Sequence, residues 1–223
     1  MAQRWEHLLF LHWSFDPDVV QRTLPDGLSV DTYQDRAWIG IVPFRMRNVR
    51  PVGLPFLSSD FLELNLRTYV RDFRGVPGVW FYSLDANNPI AVWTARLFFG
   101  LPYRHSKMHV NSGDQEIGYS SRRSGSPTLQ EYRFRPSDEL GEAKPGSLEF
   151  FLIERYRLFS VRGGQILTGR VYHSPYQLAE ATVTRFDSYL FELDGFDPPA
   201  EPPHSVLYAA RVDVTIYPVA EVR

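Results

Sequence analysis

The sequence contains no cysteine among its 223 residues. That absence excludes disulfides, thiolate nucleophiles and cysteine-based zinc or iron–sulfur sites, and it suits the reducing cytoplasm in which the chain is expected to reside. Lysine is scarce as well, with only Lys107 and Lys144 beside 22 arginines, so amine chemistry has two candidate side chains. No segment approaches the ~20 apolar residues needed to cross a bilayer, and the apolar stretch in MAQRWEHLLFLHWSF is too short for a secretory signal. The formal charge of −2 creates no global field that would recruit nucleic acid or an anionic membrane, so neither is expected as a partner. G-x-G-x-x-G, Walker, H-E-x-x-H, EF-hand and G-x-S-x-G motifs are all missing. His105 and His109 stand four apart, which on a helix would offer two metal ligands. Pro102 ends the helix before them, however, and on a strand the rings would lie about 13 Å apart at ~3.3 Å per residue. No metal and no cofactor is expected.

What is present describes a β-rich globular chain. Hydrophobic content of 43% with 22% charge rules out a disordered composition, and 15% aromatics implies a core or pocket rich in rings. The proline-rich segment Phe196–Pro203 is read as a loop inside a single domain spanning 1–223, because the roughly 20 residues beyond it cannot build a core of their own. Phe61 to Asp72 alternates: Leu62, Leu64, Leu66, Thr68 and Val70 on one face, Glu63, Asn65, Arg67 and Arg71 on the other. The turn Arg74–Gly78 leads into a return strand, Val79–Asp85. Further strands are expected at Ala37–Phe44, Lys107–Asn111, Glu116–Ser121, Thr128–Phe134, Leu158–Arg162, Ile166–Tyr172, Ala181–Phe186 and Val212–Tyr217. Turns at Asn111-Ser112-Gly113-Asp114 and Gly163-Gly164 join two of these pairs. Arg122, Arg123, Arg133 and Arg135 could form a local basic patch, but they are expected on solvated strand faces, which need no nucleic-acid partner.

Helices are few. Asp16-Pro17 caps a short one to Thr23, and Ser147 to about Arg157 forms another. Between Asn88-Pro89 and Gly100, a cap, a first-turn proline and a terminating glycine frame a third, with Ile90, Trp93, Leu97, Phe98 and Leu101 on its helical period. A strand over Ala91–Phe99 is the competing reading. About ten strands and three helices give a mainly β (α+β) fold whose antiparallel sheet escapes exposed edges by curling into a barrel or cone.

The stretches LPDGLSVDTYQDRAWIGIVPF, ELNLRTYV, PGVWFYSLDA and ARLFFGLPYRHSKM together resemble the YqjF-like family, the domain of unknown function numbered 2071. The similarity runs from about Leu8 to Pro218. That family in turn resembles acetoacetate decarboxylase, which implies a β-barrel or cone with an internal active site. The decarboxylase pattern aligns with Ala91 to Arg104, where Arg96, Gly100 and Pro102 match. Its Tyr-x-Glu segment is similar to Phe61-Leu62-Glu63. Its lysine pair is replaced by Tyr103-Arg104, and the acid after the arginine by Leu97. A phenol cannot form the decarboxylase's imine and arginine stays protonated, so that chemistry should be lost unless Lys107 supplies the amine.

From the strand pattern alone, the Glu63, Asn65 and Arg67 face is either solvated or interior. The resemblance implies that Glu63 faces a cavity. Glu63, Tyr103 and Arg104 are then the catalytic candidates, with Glu63 an acid or base and Tyr103 a hydrogen-bond donor. Arg96, Arg67, Asn65 and Lys107 would bind a ligand, Arg96 gripping its carboxylate, with Trp80, Tyr82 and Trp93 as walls. An ion pair of Arg96 with Glu63 is the structural alternative. Three functions follow: a pocket protein for a small organic or keto acid, an enzyme on such an acid without an imine, or a structural domain with a filled cavity. Assembly with copies of itself stays open.

Overall fold

The computed structural model describes residues 1–50, 58–113 and 116–222, so the Asp114 end of the expected turn lies outside the described residues. The chain runs β1 (Ala2–Phe15), α1 (Pro17–Gln21), β2 (Leu28–Val30), β3 (Ala37–Arg50), β4 (Ser59–Asp72) and β5 (Pro77–Ala86). There follow α2 (Pro89–Phe99), β6 (Tyr103–Ser112), β7 (Ile117–Arg123), β8 (Gln130–Gly141) and α3 (Leu148–Ile153). The last elements are β9 (Arg157–Arg162), β10 (Gln165–His173), β11 (Leu178–Arg185), α4 (Tyr189–Leu193), β12 (Ser205–Ile216) and β13 (Ala220–Glu221).

Among the described residues these strands form one sheet that closes on itself twice, because β10 also pairs with β12 and β5 with β4. One ring is β12, β1, β3, β4, β5, β9 and β10; the other runs from β5 through β6, β7, β8 and β11 to β12, then back through β1, β3 and β4. Five strands are therefore shared, and where the rings meet, as in the middle of β1 and β3, both faces are buried. Leu8, Phe10, Val42 and Phe44 enter the core of the first ring. Their neighbours Leu9, Leu11, Ile39 and Ile41 enter the core of the second. Closure removes most exposed strand edges, and double burial demands nearly continuous apolar sequence.

The sheet is mainly antiparallel, but β5 pairs in parallel with both β6 and β9. The β5–β6 pair is parallel because α2 is a crossover that returns the chain in the same direction. Its boundaries follow local chemistry. The Asn88 side chain accepts from the backbone N–H groups of Ile90 and Ala91, Pro89 opens the first turn, and Gly100 ends it at φ 62°. A Cβ there would approach the Val161 carbonyl to 3.0 Å. The helical reading of this segment holds, yet the predicted apolar period picks the wrong face. Ile90, Trp93, Leu97 and Phe98 are exposed, while Ala91, Val92, Ala95 and Phe99 pack on the first core. The expected helix to Arg157 is shorter, because α3 stops at Ile153 and Arg157 already begins β9. Among the described residues, no helix is long and apolar enough to cross a membrane.

Candidate functional site

The interior of the first ring holds a polar cluster. β4 sends Glu63 and Asn65 inward, only 2% and 3% exposed, followed by the half-buried Arg67 and the buried Tyr69. β6 brings Tyr103, whose hydroxyl donates to Glu63 Oε2 at 2.6 Å. Asn65 Nδ2 donates to Glu63 Oε1 at 3.2 Å. Burial pushes the Glu63 carboxyl up to about 7, against the opposing pull of those two hydrogen bonds and the Arg67 charge. The Tyr103 phenol is pushed well above its ordinary value by burial and then by Glu63, so it acts as a donor and not as a phenolate.

Arg67 donates through Nη2 to the Leu152 carbonyl at 3.2 Å and lies over the Phe10 ring, 5.5 Å from its centroid. Its Nε and the Asn65 Oδ1 are buried without partners. Arg155, by contrast, is ion-paired with Asp31 at 2.7 Å, a carboxylate it shares with Arg71. His12, wholly buried, bonds Tyr69 through Nε2 at 2.6 Å, and burial with the nearby Arg67 charge drives its pKa well down, leaving a neutral ring. Glu63, Asn65, Arg67, Tyr103, Arg155 and His173 line a cavity of about 70 Å³. Leu101, Tyr103, Leu158 and Ile216 also line a second, largely apolar pocket of about 320 Å³ beneath α2.

The expected constellation is thus only partly assembled. Glu63, Asn65, Arg67 and Tyr103 converge. Arg96 does not join them: it is exposed on α2, one position beyond the inward-facing Ala95, and lines neither space. The Glu63–Arg96 ion pair is likewise absent. Arg104 and Lys107 are exposed on β6, as is Lys144 in the approach to α3. Trp80 and Tyr82 line a separate surface pocket of about 300 Å³ behind β5, and Phe81 takes the inner position instead. The reason is a bulge: Arg67 pairs with Phe81 whereas Leu66 pairs with Ser83, which shifts the inward phase of β5. Trp93 is 65% exposed. Sequence reasoning missed Tyr69, which continues the odd-numbered face of β4, and His12, Arg155 and His173, which no local pattern marks.

The chain belongs to the DUF2071 family, described as an uncharacterized conserved protein, whose profile matches residues 2–213. It is 34% identical to the uncharacterized protein YqjF of Bacillus subtilis (strain 168), over 98% of this chain and 91% of that protein. Among solved structures, the enduracididine biosynthesis enzyme MppR complexed with pyruvate matches with a TM-score of 0.68 at 13% identity, covering 99% of this chain and 89% of that one. Acetoacetate decarboxylase from Legionella pneumophila subsp. pneumophila str. Philadelphia 1 matches with a TM-score of 0.67 at 12% identity, covering 100% and 88%. An acetoacetate decarboxylase-like enzyme from Sphingomonas wittichii RW1 gives 0.63 at 12%, covering 100% and 92%. The fold is acetoacetate decarboxylase-like.

Proposed function

We propose that this DUF2071 protein is a pocket protein for a small organic acid, a 2-keto acid by preference, held between Arg67 and Glu63. The observation that carries the reading is Arg67. It is a half-buried guanidinium facing the cavity with a free Nε and no carboxylate in ion-pair contact among the described residues. A ligand carboxylate would supply the missing counter-charge and satisfy that donor. Asn65 Oδ1 and the Tyr103–Glu63 pair offer polar partners for a neighbouring carbonyl or hydroxyl. The 2-keto class is suggested by the pyruvate bound to MppR, a protein sharing the fold at 13% identity. The open space around these groups weighs against a purely structural domain.

An imine has no place in this reading. Tyr103 stands where the decarboxylase pattern has lysine, and Lys107 and Lys144 both lie outside the cavity. Calorimetric titration with pyruvate is expected to show binding that weakens roughly tenfold to hundredfold in Arg67→Met, the loss of a charge-assisted contact. Borohydride added with pyruvate should leave no covalent mass increase. Unchanged affinity in Arg67→Met, or a reduced adduct on either lysine, overturns the proposal.

Glu63 favours a second reading, in which the bound acid also reacts. A carboxyl near 7 suits proton transfer at neutral pH. As a carboxylate it would take a proton from C3 of bound pyruvate while the C–H electrons form the C2–C3 double bond and the carbonyl oxygen gains charge. Exchange of the pyruvate methyl hydrogens for deuterium, rising with pH through about 7 and lost in Glu63→Gln, is the expected signature. Exchange equal to the enzyme-free rate leaves binding alone.

A further inference from the structure

We infer that the acid held in the inner cavity carries an apolar tail, and that the pocket beneath α2 receives it. The inference rests on the organic-acid reading above. Three observations lead to it. The inner cavity, at about 70 Å³, accommodates roughly five to seven water-sized groups. That is room for a three-carbon keto acid and little more. The outer pocket, at about 320 Å³, reaches the size of ordinary small-molecule sites, about 300–1,000 Å³.

The two spaces are also adjacent. Leu101, Tyr103, Leu158 and Ile216 line both, so a single layer of side chains separates them. Tyr103 holds Glu63 by its hydroxyl and contributes to the wall of the outer pocket. A ligand whose head lies at Glu63 would reach the outer pocket by displacing this shared layer beside the Tyr103 ring.

The outer lining completes the case. Ala91 and Ala95, one turn apart on α2, present only methyl groups, and Phe61 and Phe99 add apolar walls. Among the described residues the one buried amide there is Gln3, which is 5% exposed and has both polar side-chain atoms unpartnered. A buried amide left in that condition is costly. A polar group along the tail, or a water carried with it, answers that amide.

The test is calorimetric titration of the whole chain with pyruvate, 2-oxobutanoate, 2-oxohexanoate and 2-oxooctanoate, with 1-octanol as an uncharged probe. Affinity should rise by up to about fourfold per methylene. Ala95→Phe, which fills the pocket, should flatten the series while leaving pyruvate affinity unchanged; Ala91→Val does the same more gently should the larger variant misfold. A flat series in wild type with pyruvate still bound overturns the tail pocket and spares the acid reading. If no keto acid binds but 1-octanol does, and Ala95→Phe abolishes it, the acid reading fails and the apolar pocket stands. If no probe binds, both fail.

Discussion

A carboxyl at position 63 is costly to keep charged, and its cost depends on pH. The unfolded chain releases the Glu63 proton near 4.5, whereas the folded chain holds it to about 7. Between those values the folded state binds more protons, so this group's contribution favours folding on the acid side and is lost as pH rises. The loss by pH 8 is on the order of 3 kcal/mol. Glu63→Gln lacks this dependence yet still accepts from Tyr103. Urea midpoints should therefore put the variant close to wild type near pH 4.5 and more stable by up to about 3 kcal/mol at pH 8. Equal stability at pH 8 would mean that Arg67 fully compensates the charge. His12 sets a second constraint at this scale. A Cβ on Gly40 would lie 2.5 Å from His12 Cδ2, and the ring is buried and tied to Tyr69. Gly40→Ala is expected to destabilise by about 1–3 kcal/mol through overpacking. An unshifted melting temperature would show that the imidazole can step aside.

Elements are locked together by a second buried cluster, on the far side of the shared wall. Arg123 of β7, expected on a solvated strand face, is instead largely buried and donates to Asp85 of β5 at 2.8 Å, to Asp194 at the end of α4 at 3.0 Å and to Ser83 at 2.7 Å. Burial lifts Asp85 to about 6 despite Arg123, so above that pH the cluster depends on the guanidinium. Arg123→Met leaves two buried carboxylates facing each other and should cost about 3–5 kcal/mol at pH 8, with a smaller loss at pH 5 where Asp85 is protonated. A pH-independent loss would point to packing alone. Elements of this kind differed in how plainly the sequence announced them. The alternation of β4 and the caps of α2 are local signals, and both are visible in the residues themselves. β1 carries no alternation because both its faces are buried, so LLFLHW gives no period to read. The phase of β5 breaks at its bulge, which no residue type marks, and this exchanged Phe81 for Trp80 and Tyr82. Arg96 is placed in the site by its match to the decarboxylase pattern, yet on α2 it stands one position beyond the inward-facing Ala95, exposed. Arg155, in the link between α3 and β9, and His173, at the end of β10, reach the cavity from more than 80 positions after β4, a proximity only the closed ring creates.

At the scale of the molecule, the two rings cannot be taken apart, since β12, β1, β3, β4 and β5 belong to both. We propose that the chain is one folding unit for that reason. Opening either ring exposes a face of every shared strand, and those faces carry the residues of both cores. The strand that closes them, β12, pairs with β1, β10 and β11, so the last long strand depends on the first. Such pairings lie far apart in sequence, with Ala2 opposite Thr215, and closing so long a loop must precede any gain from the contacts. Scanning calorimetry should therefore show one transition with calorimetric and van't Hoff enthalpies in agreement. Refolding should be slow, on the ms–s scale typical of non-local β structure. Ala209 on β12 is wholly buried opposite Leu8 of β1, so Ala209→Asp places a charge inside the shared wall and should abolish the transition altogether. Two separable transitions in wild type, or loss of only one part of the enthalpy in Ala209→Asp, would show that the rings fold as independent bodies.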